Sequence, residues 1–184
     1  INENEKKFTK ENILDFLKNI TREVNSVIYK KSNTPGPFSG MGTTLIITIF
    51  LCDSIYMVHV GDSRVYVIKN GKIKQLTTDH SYVEELVQNG SLSRVEANKH
   101  PKKNIITRAI GCFEDVKADI CTYSIQKDEI FILCTDGLTN MVTDDKILEI
   151  VKENDDPESS CNKLIEQANK NGGDDNITVV IIRT

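Results

Sequence analysis

Much is missing from this 184-residue chain, and each absence removes a class of function. No apolar run approaches the roughly 20 residues a membrane-crossing helix requires; the run at 45–51 is only strand-sized and contains Thr48. A basic excess is also lacking. With 23 Lys and Arg against 27 Asp and Glu, the net charge of −4 has the wrong sign for a nucleic-acid surface. The five cysteines (Cys52, Cys112, Cys121, Cys134, Cys161) are odd in number and form no C-x-x-C pair, so neither a zinc ribbon nor a dithiol redox motif is available. They read as buried, reduced thiols of a cytoplasmic protein. None is followed six residues on by Arg, as a thiolate phosphate-binding loop would require. G-x-x-x-x-G-K-[ST], G-x-S-x-G and H-E-x-x-H are absent, and His59, His80 and His100 are scattered. His59 lies in a strand pattern and reads as a packed or edge histidine. The first residues are polar and acidic, unlike a signal peptide, and the chain opens on Ile1, as a processed product or a piece of a longer protein would.

What is present is carboxylate chemistry on a globular frame. Hydrophobic content of 39% and charged content of 27% describe one soluble domain, residues 1–184, able to bury a core without staples. Thr9 can cap a first helix, with Phe8 stapled onto Ile13; Ile13, Phe16, Leu17, Ile20, Val24, Val27 and Ile28 give it one apolar face. Pro35-Gly36-Pro37 lies beyond its end. Strand patterns follow at 43–51, 55–60, 65–68 and 73–76, the last two joined by the hairpin signal Asn70-Gly71. Gly61 falls inside this β-rich stretch, hinting at a bulge or a close backbone approach. A short helix around Tyr82–Val87 precedes a basic run of Arg94, Lys99, His100, Lys102, Lys103 and Arg108. Strands resume at 119–125 and 129–135, then helices at 144–152 and 157–170, the latter capped by Asp156 with Pro157 in its first turn, and a last strand at 177–182. Strands that run as hairpins predict an α+β fold: an antiparallel β-sandwich flanked by helices in α-β-β-α layers.

Two aspartates stand out. Asp136 follows the strand at 129–135 and precedes Gly137; Asp175 comes just before the strand at 177–182. If those strands are antiparallel neighbours, both carboxylates reach the same sheet rim. Hard oxygen ligands there suit Mg²⁺ or Mn²⁺. Asp-Gly and Gly-Asp are equally ordinary turn pairs, and either motif alone reads as a turn.

In order, the chain carries Met41-Gly42-Thr43-Thr44, Val60-Gly61-Asp62-Ser63-Arg64, Leu76-Thr77-Thr78-Asp79-His80-Ser81, Ile106-Thr107-Arg108-Ala109-Ile110-Gly111, Cys134-Thr135-Asp136-Gly137-Leu138 and Gly173-Asp174-Asp175-Asn176-Ile177-Thr178. This series resembles the metal-dependent Ser/Thr protein phosphatase family (type 2C), especially its bacterial members, from about Thr9 to Arg183. The resemblance implies that Asp136 and Asp175, rather than Asp174, are metal ligands and catalytic, and that Asp79 contributes to a third, weaker metal. It implies a mobile flap at about 81–103, with Arg94, Lys102 and Lys103 as candidates for substrate binding. Asp62 would be a hydrogen-bonding residue of a structural bend. The implied reaction is hydrolysis of phosphoserine or phosphothreonine on proteins, by water activated at a centre of two or three Mg²⁺ or Mn²⁺ ions. The implied setting is cytoplasmic signal transduction opposite a Ser/Thr kinase, with neither nucleic acid nor membrane as partner.

The chain departs from the family at one end. The family's upstream acidic strand residue, its D-G-x-G-G segment and a nearby basic residue are absent, so the fold is expected to be N-terminally incomplete and short of about half its metal ligands. The alternative to an enzyme is therefore a catalytically weak, phosphatase-like module that binds phosphoproteins or regulates.

Overall fold

The computed structural model describes Thr9 and residues 12–184. The elements in chain order are α1 (Ile13–Ser32), β1 (Leu45–Leu51), β2 (Ser54–Val60), β3 (Arg64–Lys69), β4 (Lys72–Gln75), α2 (Tyr82–Gln88), α3 (Arg94–Lys99), β5 (Asp119–Ser124), β6 (Ile130–Cys134), α4 (Asp136–Thr139), α5 (Asp144–Lys152), α6 (Pro157–Lys170) and β7 (Val179–Arg183). They fall into two compact units. One comprises the chain up to Val60 together with 108–124; the other comprises 61–107 and 125–184. The expected α+β character with antiparallel sheets and flanking helices is present in both.

In the first unit, β1, β2 and β5 form an antiparallel sheet in that order, with Ile47 opposite Val58 and Val58 opposite Ile120. Helix α1 lays its apolar stripe on it: Ile13 and Leu17 are fully buried and pack with Tyr56 and Val58. Burying each such side chain contributes about 1.5–3 kcal/mol before entropy is counted. Thr9 does not cap the helix as expected: Asn12 is the N-cap, without a side-chain cap bond. Thr9 precedes it, its carbonyl accepting from the Asn12 and Ile13 N–H groups while its own N–H donates to Asn12 Oδ1 at 2.9 Å. The proposed staple partner, Phe8, lies outside the described residues. Buried Asn25 ties the helix to the distant loop at 111–114, accepting from the Gly111 N–H at 2.8 Å and donating to the Phe113 and Glu114 carbonyls.

In the second unit, the sheet order is β4-β3-β6-β7, antiparallel throughout. Tyr66, Ile132, Leu138, Ile147, Val151, Leu164 and Ala168 form its core, which places α4, α5 and α6 against this sheet. Thr143 caps α5 through the Lys146 N–H and Asp156 caps α6 through the Ser159 N–H, as the sequence pattern at Asp156-Pro157 anticipates. The β3–β4 hairpin turns at Asn70 (φ 49°) and Gly71 (φ 71°), the paired left-handed residues of a type I′ turn.

Several local expectations need correction. Thr43 does not belong to β1; it makes an isolated bridge to Ile110 instead. Gly61 is not a bulge within a strand. At φ 111° it begins the bend where the chain leaves the sheet of the first unit for that of the second. Helices α3 and α4 were not anticipated, although Ser93 and Glu96 form a full capping box that starts α3. The five thiols are all free, but only Cys134 is buried, and Cys52 and Cys112 are exposed.

Candidate metal centre

Strand β6 ends at Cys134, opposite Val179 of β7, so the two candidate aspartates leave the same edge of one sheet. Beyond the ladder the chains remain stitched. The Thr135 N–H donates to the Thr178 carbonyl at 3.2 Å, the Thr178 N–H returns to Thr135 Oγ1 at 3.0 Å, and that hydroxyl donates to the Asn176 carbonyl at 3.2 Å. Gly137 permits this approach, since a Cβ there would sit 2.4 Å from the Asn176 carbonyl oxygen. The missing side chain is thus what lets the turn after β6 lie on the turn before β7.

Asp136 opens α4, with Thr135 preceding it in an extended conformation, and its Oδ2 accepts from Asn140 Nδ2 at 3.1 Å. Burial, and next the Asp175 carboxylate, raise the Asp136 carboxyl above the usual range, while the Gly137 N–H works in the opposite direction. Asp175 is exposed and accepts from the Asn176 N–H at 2.7 Å. Asp62 joins the same field: burial, and after it Asp136, push its carboxyl up to about 6. Carboxylates held together against their repulsion are the donor chemistry that a hard divalent cation relieves. Mg²⁺ or Mn²⁺ therefore fits here. Among the described residues, no three His, Cys, Asp or Glu side chains converge on one point; what lies here is Asp136 within the charge field of Asp175 and Asp62.

Asp79 is set differently. It lies after β4 on a segment bound to the 61–65 bend: the Gly61 N–H donates to His80 Nδ1 at 3.1 Å, the His80 N–H to the Gly61 carbonyl at 2.9 Å, and the Val65 N–H to Thr77 Oγ1 at 3.1 Å. Its carboxylate is gripped by Arg64 through Nε, at 3.0 Å to each oxygen, and Nη2, at 2.7 Å to Oδ2; Gln75 Nε2 donates to Oδ1 at 2.7 Å. Arg64 and Tyr66 share one face of β3, and the Tyr66 hydroxyl links Arg64 Nη1 to Asp144 Oδ1. Sequence reasoning assigned no role to Arg64, Gln75 or Tyr66; the period-two spacing of 64 and 66 is the signal that links the last to the first.

Asp62, Arg64, Asp79, Asp136, Arg94 and Lys103 line a cleft of about 760 Å³ within the second unit. The basic run does not act as one cluster. Arg94 is paired with buried Glu84, Arg108 with Asp119 in the other unit, and Lys102 lies over the Tyr82 ring with Nζ 5.5 Å from its centre, outside the cleft lining.

Residues 1–177 match the family model for protein phosphatase 2C. The chain is 39% identical over 174 residues to a serine/threonine phosphatase, Stp, of Listeria monocytogenes, a match spanning 95% of this chain and 69% of that protein. The solved serine/threonine phosphatase of S. agalactiae superposes with a TM-score of 0.89 at 35% identity, covering 94% of this chain and 71% of that one. The catalytic domain of the phosphatase PstP, solved in complex with two manganese ions, gives 0.84 at 32% identity, covering 95% and 73%. With its two antiparallel sheets, its flanking helices and aspartates at a sheet rim, the chain belongs to the protein phosphatase 2C family, whose chemistry is Mg²⁺- or Mn²⁺-dependent dephosphorylation of phosphoproteins.

Proposed function

We propose that Asp136 and Asp175 hold a catalytic Mg²⁺ or Mn²⁺ ion for hydrolysis of phosphoserine and phosphothreonine on proteins, with Asp79 contributing to a third, outer ion. The observation that carries this reading is the Asp136–Asp175 pair: the turns that bear them are stitched together at one rim, and the Asp175 charge adds to burial in raising the Asp136 carboxyl. When bound, the metal supplies Lewis-acid polarisation of a phosphoryl oxygen and a water acidic enough to attack phosphorus. The residues of this chain do the rest. Asp136 and Asp175 present hard anionic oxygens, and Asn140 orients Asp136. Arg94 and Lys103, from the segment 81–103, line the same cleft as Asp136 and Asp79; Lys103 is the stronger candidate for a phosphate partner, because Arg94 is already paired with buried Glu84. We assign that segment as the flap of a single phosphatase domain spanning 1–184. Lys102 is the weaker substrate candidate, because its ammonium is engaged with the Tyr82 ring.

Phosphorylated proteins are the substrates, and a Ser/Thr kinase is the opposing activity. Among the described residues no helix is long and apolar enough to cross a membrane. A cytoplasmic setting is supported by five cysteines that are all free thiols.

One observation favours the second reading, a phosphoprotein-binding or regulatory module. Among the described residues, no three His, Cys, Asp or Glu side chains converge to hold a metal ion. Isothermal titration with Mn²⁺, alongside phosphopeptide hydrolysis, separates the two. The enzyme reading expects Mn²⁺ affinity to fall at least tenfold in Asp136→Asn and Asp175→Asn, with any turnover of this chain lost in parallel. Undiminished Mn²⁺ affinity in both variants overturns the assignment. Phosphopeptide binding that survives chelation, without turnover, supports the module.

A further inference from the structure

We infer that Arg64 is a positioning residue whose guanidinium and a divalent cation are alternative partners of Asp79. An ionised carboxylate offers about four lone-pair sites. At Asp79 three N–H groups engage both oxygens, each of which receives two contacts: Arg64 Nε is shared between Oδ1 and Oδ2, Arg64 Nη2 adds to Oδ2 and Gln75 Nε2 to Oδ1, all within 2.7–3.0 Å. The pair is largely withdrawn from water, with the Asp79 side chain 11% and the Arg64 side chain 27% exposed. A cation taking an Asp79 oxygen must therefore displace at least one N–H, and it would bring two positive charges beside a third.

The guanidinium does not lose all support when it yields. Its Nη1 donates to the Tyr66 hydroxyl at 3.0 Å, and that hydroxyl donates to Asp144 Oδ1 at 3.1 Å. Asp144 lines the same cleft. Arg64 is thus tethered between two carboxylates, directly to Asp79 and through Tyr66 to Asp144. Releasing the first still leaves it anchored to the second. Among the described residues, the side-chain hydrogen bonds of Asp136 and Asp175 run to Asn140 Nδ2 and the Asn176 N–H and involve no cation. The consequence is an order of filling. The rim pair binds its ion first, and the Asp79 position binds weakly because Arg64 already occupies it. Arg64 sets that second affinity without touching substrate.

This inference rests on Asp79 being a cation ligand, and the test keeps the two apart. Mn²⁺ binding is measured by titration on the full chain and on Asp79→Asn, Arg64→Met and the double variant, with circular dichroism to verify folding. Asp79→Asn is expected to bind one Mn²⁺ fewer. Arg64→Met is expected to bind the weakest Mn²⁺ at least tenfold more tightly, an effect that disappears in the double variant. A purely structural role for Arg64 would weaken binding or leave it unchanged. If Asp79→Asn binds as many ions as the parent, the ligand assignment fails and the inference with it. If it loses one and Arg64→Met is not tighter, the inference alone fails. Should Arg64→Met not fold, the unmodified chain decides. The Arg64 Nε–H signal in ¹⁵N NMR should lose its protection from exchange on saturation with Mg²⁺; an equally protected signal overturns the inference.

Discussion

Gly61 and His80 hold each other by two hydrogen bonds: the Gly61 N–H donates to His80 Nδ1, and the His80 N–H donates to the Gly61 carbonyl. The clasp joins two loops 19 residues apart and brings Asp62 and Asp79, each one residue from the clasp, to the same cleft. Accepting at Nδ1 requires the ring proton to sit on Nε2. His80→Ala leaves the Gly61 N–H without its buried partner. It is expected to cost about 1–3 kcal/mol of unfolding free energy, measured by urea denaturation, the usual price of an orphaned buried donor.

Gly137→Ala tests the contact between the turns that carry Asp136 and Asp175. The new Cβ would meet the Asn176 carbonyl at 2.4 Å, and backbone on both sides limits relaxation. Overpacking of this kind costs about 1–3 kcal/mol. The Asp175 turn must move away from Asp136, so Mn²⁺ affinity should fall together with thermal stability. A variant with native melting and native Mn²⁺ affinity would show that the approach is not needed.

The Asp62 carboxyl, pushed up to about 6 by burial and then by Asp136, gives the metal-free protein a pH signature. The folded state holds this proton more tightly than the unfolded state, whose carboxyl titrates near 3.9. Between about pH 4 and 6 the folded chain binds more protons, so stability falls as pH rises through that window and stays lower above it. Asp62→Asn should stabilise the chain in EDTA at pH 7.5, by roughly 1 kcal/mol once solvent screening of a partly exposed group is allowed for. At pH 4 it should do little. Denaturant midpoints at the two pH values measure the difference, and an equal effect at both would contradict the burial of this charge.

Asp136 sets a second pH dependence. Its carboxyl is raised by burial and by Asp175, and it must lose its proton to bind a cation. Mn²⁺ affinity should therefore decline with acidification earlier than for an ordinary surface aspartate, and the decline should flatten in Asp175→Asn, where the neighbouring charge is removed. Titrations between pH 4.5 and 7.5 follow both.

Leu164 anchors α6 to the second sheet's core and is fully buried with Ile132, Ile147 and Val151. Leu164→Ala should lose about 2–5 kcal/mol, read as a lower denaturant midpoint with an unchanged slope.

Much of the fold was legible because its signals are local. The Asn70-Gly71 turn and the Asp156-Pro157 cap each depend on residues within a few positions, and each appears where the pattern places it. The α1 stripe does so only in part: Ile13 and Leu17 are buried, but Phe16 and Val27 are exposed and Thr21 and Asn25 take buried places on the helix. The Ser93 and Glu96 box was equally local, but it lies in a polar run whose charges masked the helix. The rim aspartates were legible for a different reason. One antiparallel pairing, β6 with β7, is enough to bring Asp136 and Asp175 together.

By itself, then, the sequence determined the chemistry on offer: carboxylates suited to Mg²⁺ or Mn²⁺, no nucleophilic thiol motif, and an ordered series of turns shared with one phosphatase family. Tertiary structure decided which charges meet. Asp79 is saturated by Arg64, 15 residues away, and Gln75; Tyr66 reaches Asp144 across 78 residues; Arg94 is taken by Glu84 and Arg108 by Asp119. Ion pairs and buried hydrogen bonds form wherever the packed backbone brings partners within about 3 Å, and that distance has no counterpart in linear spacing.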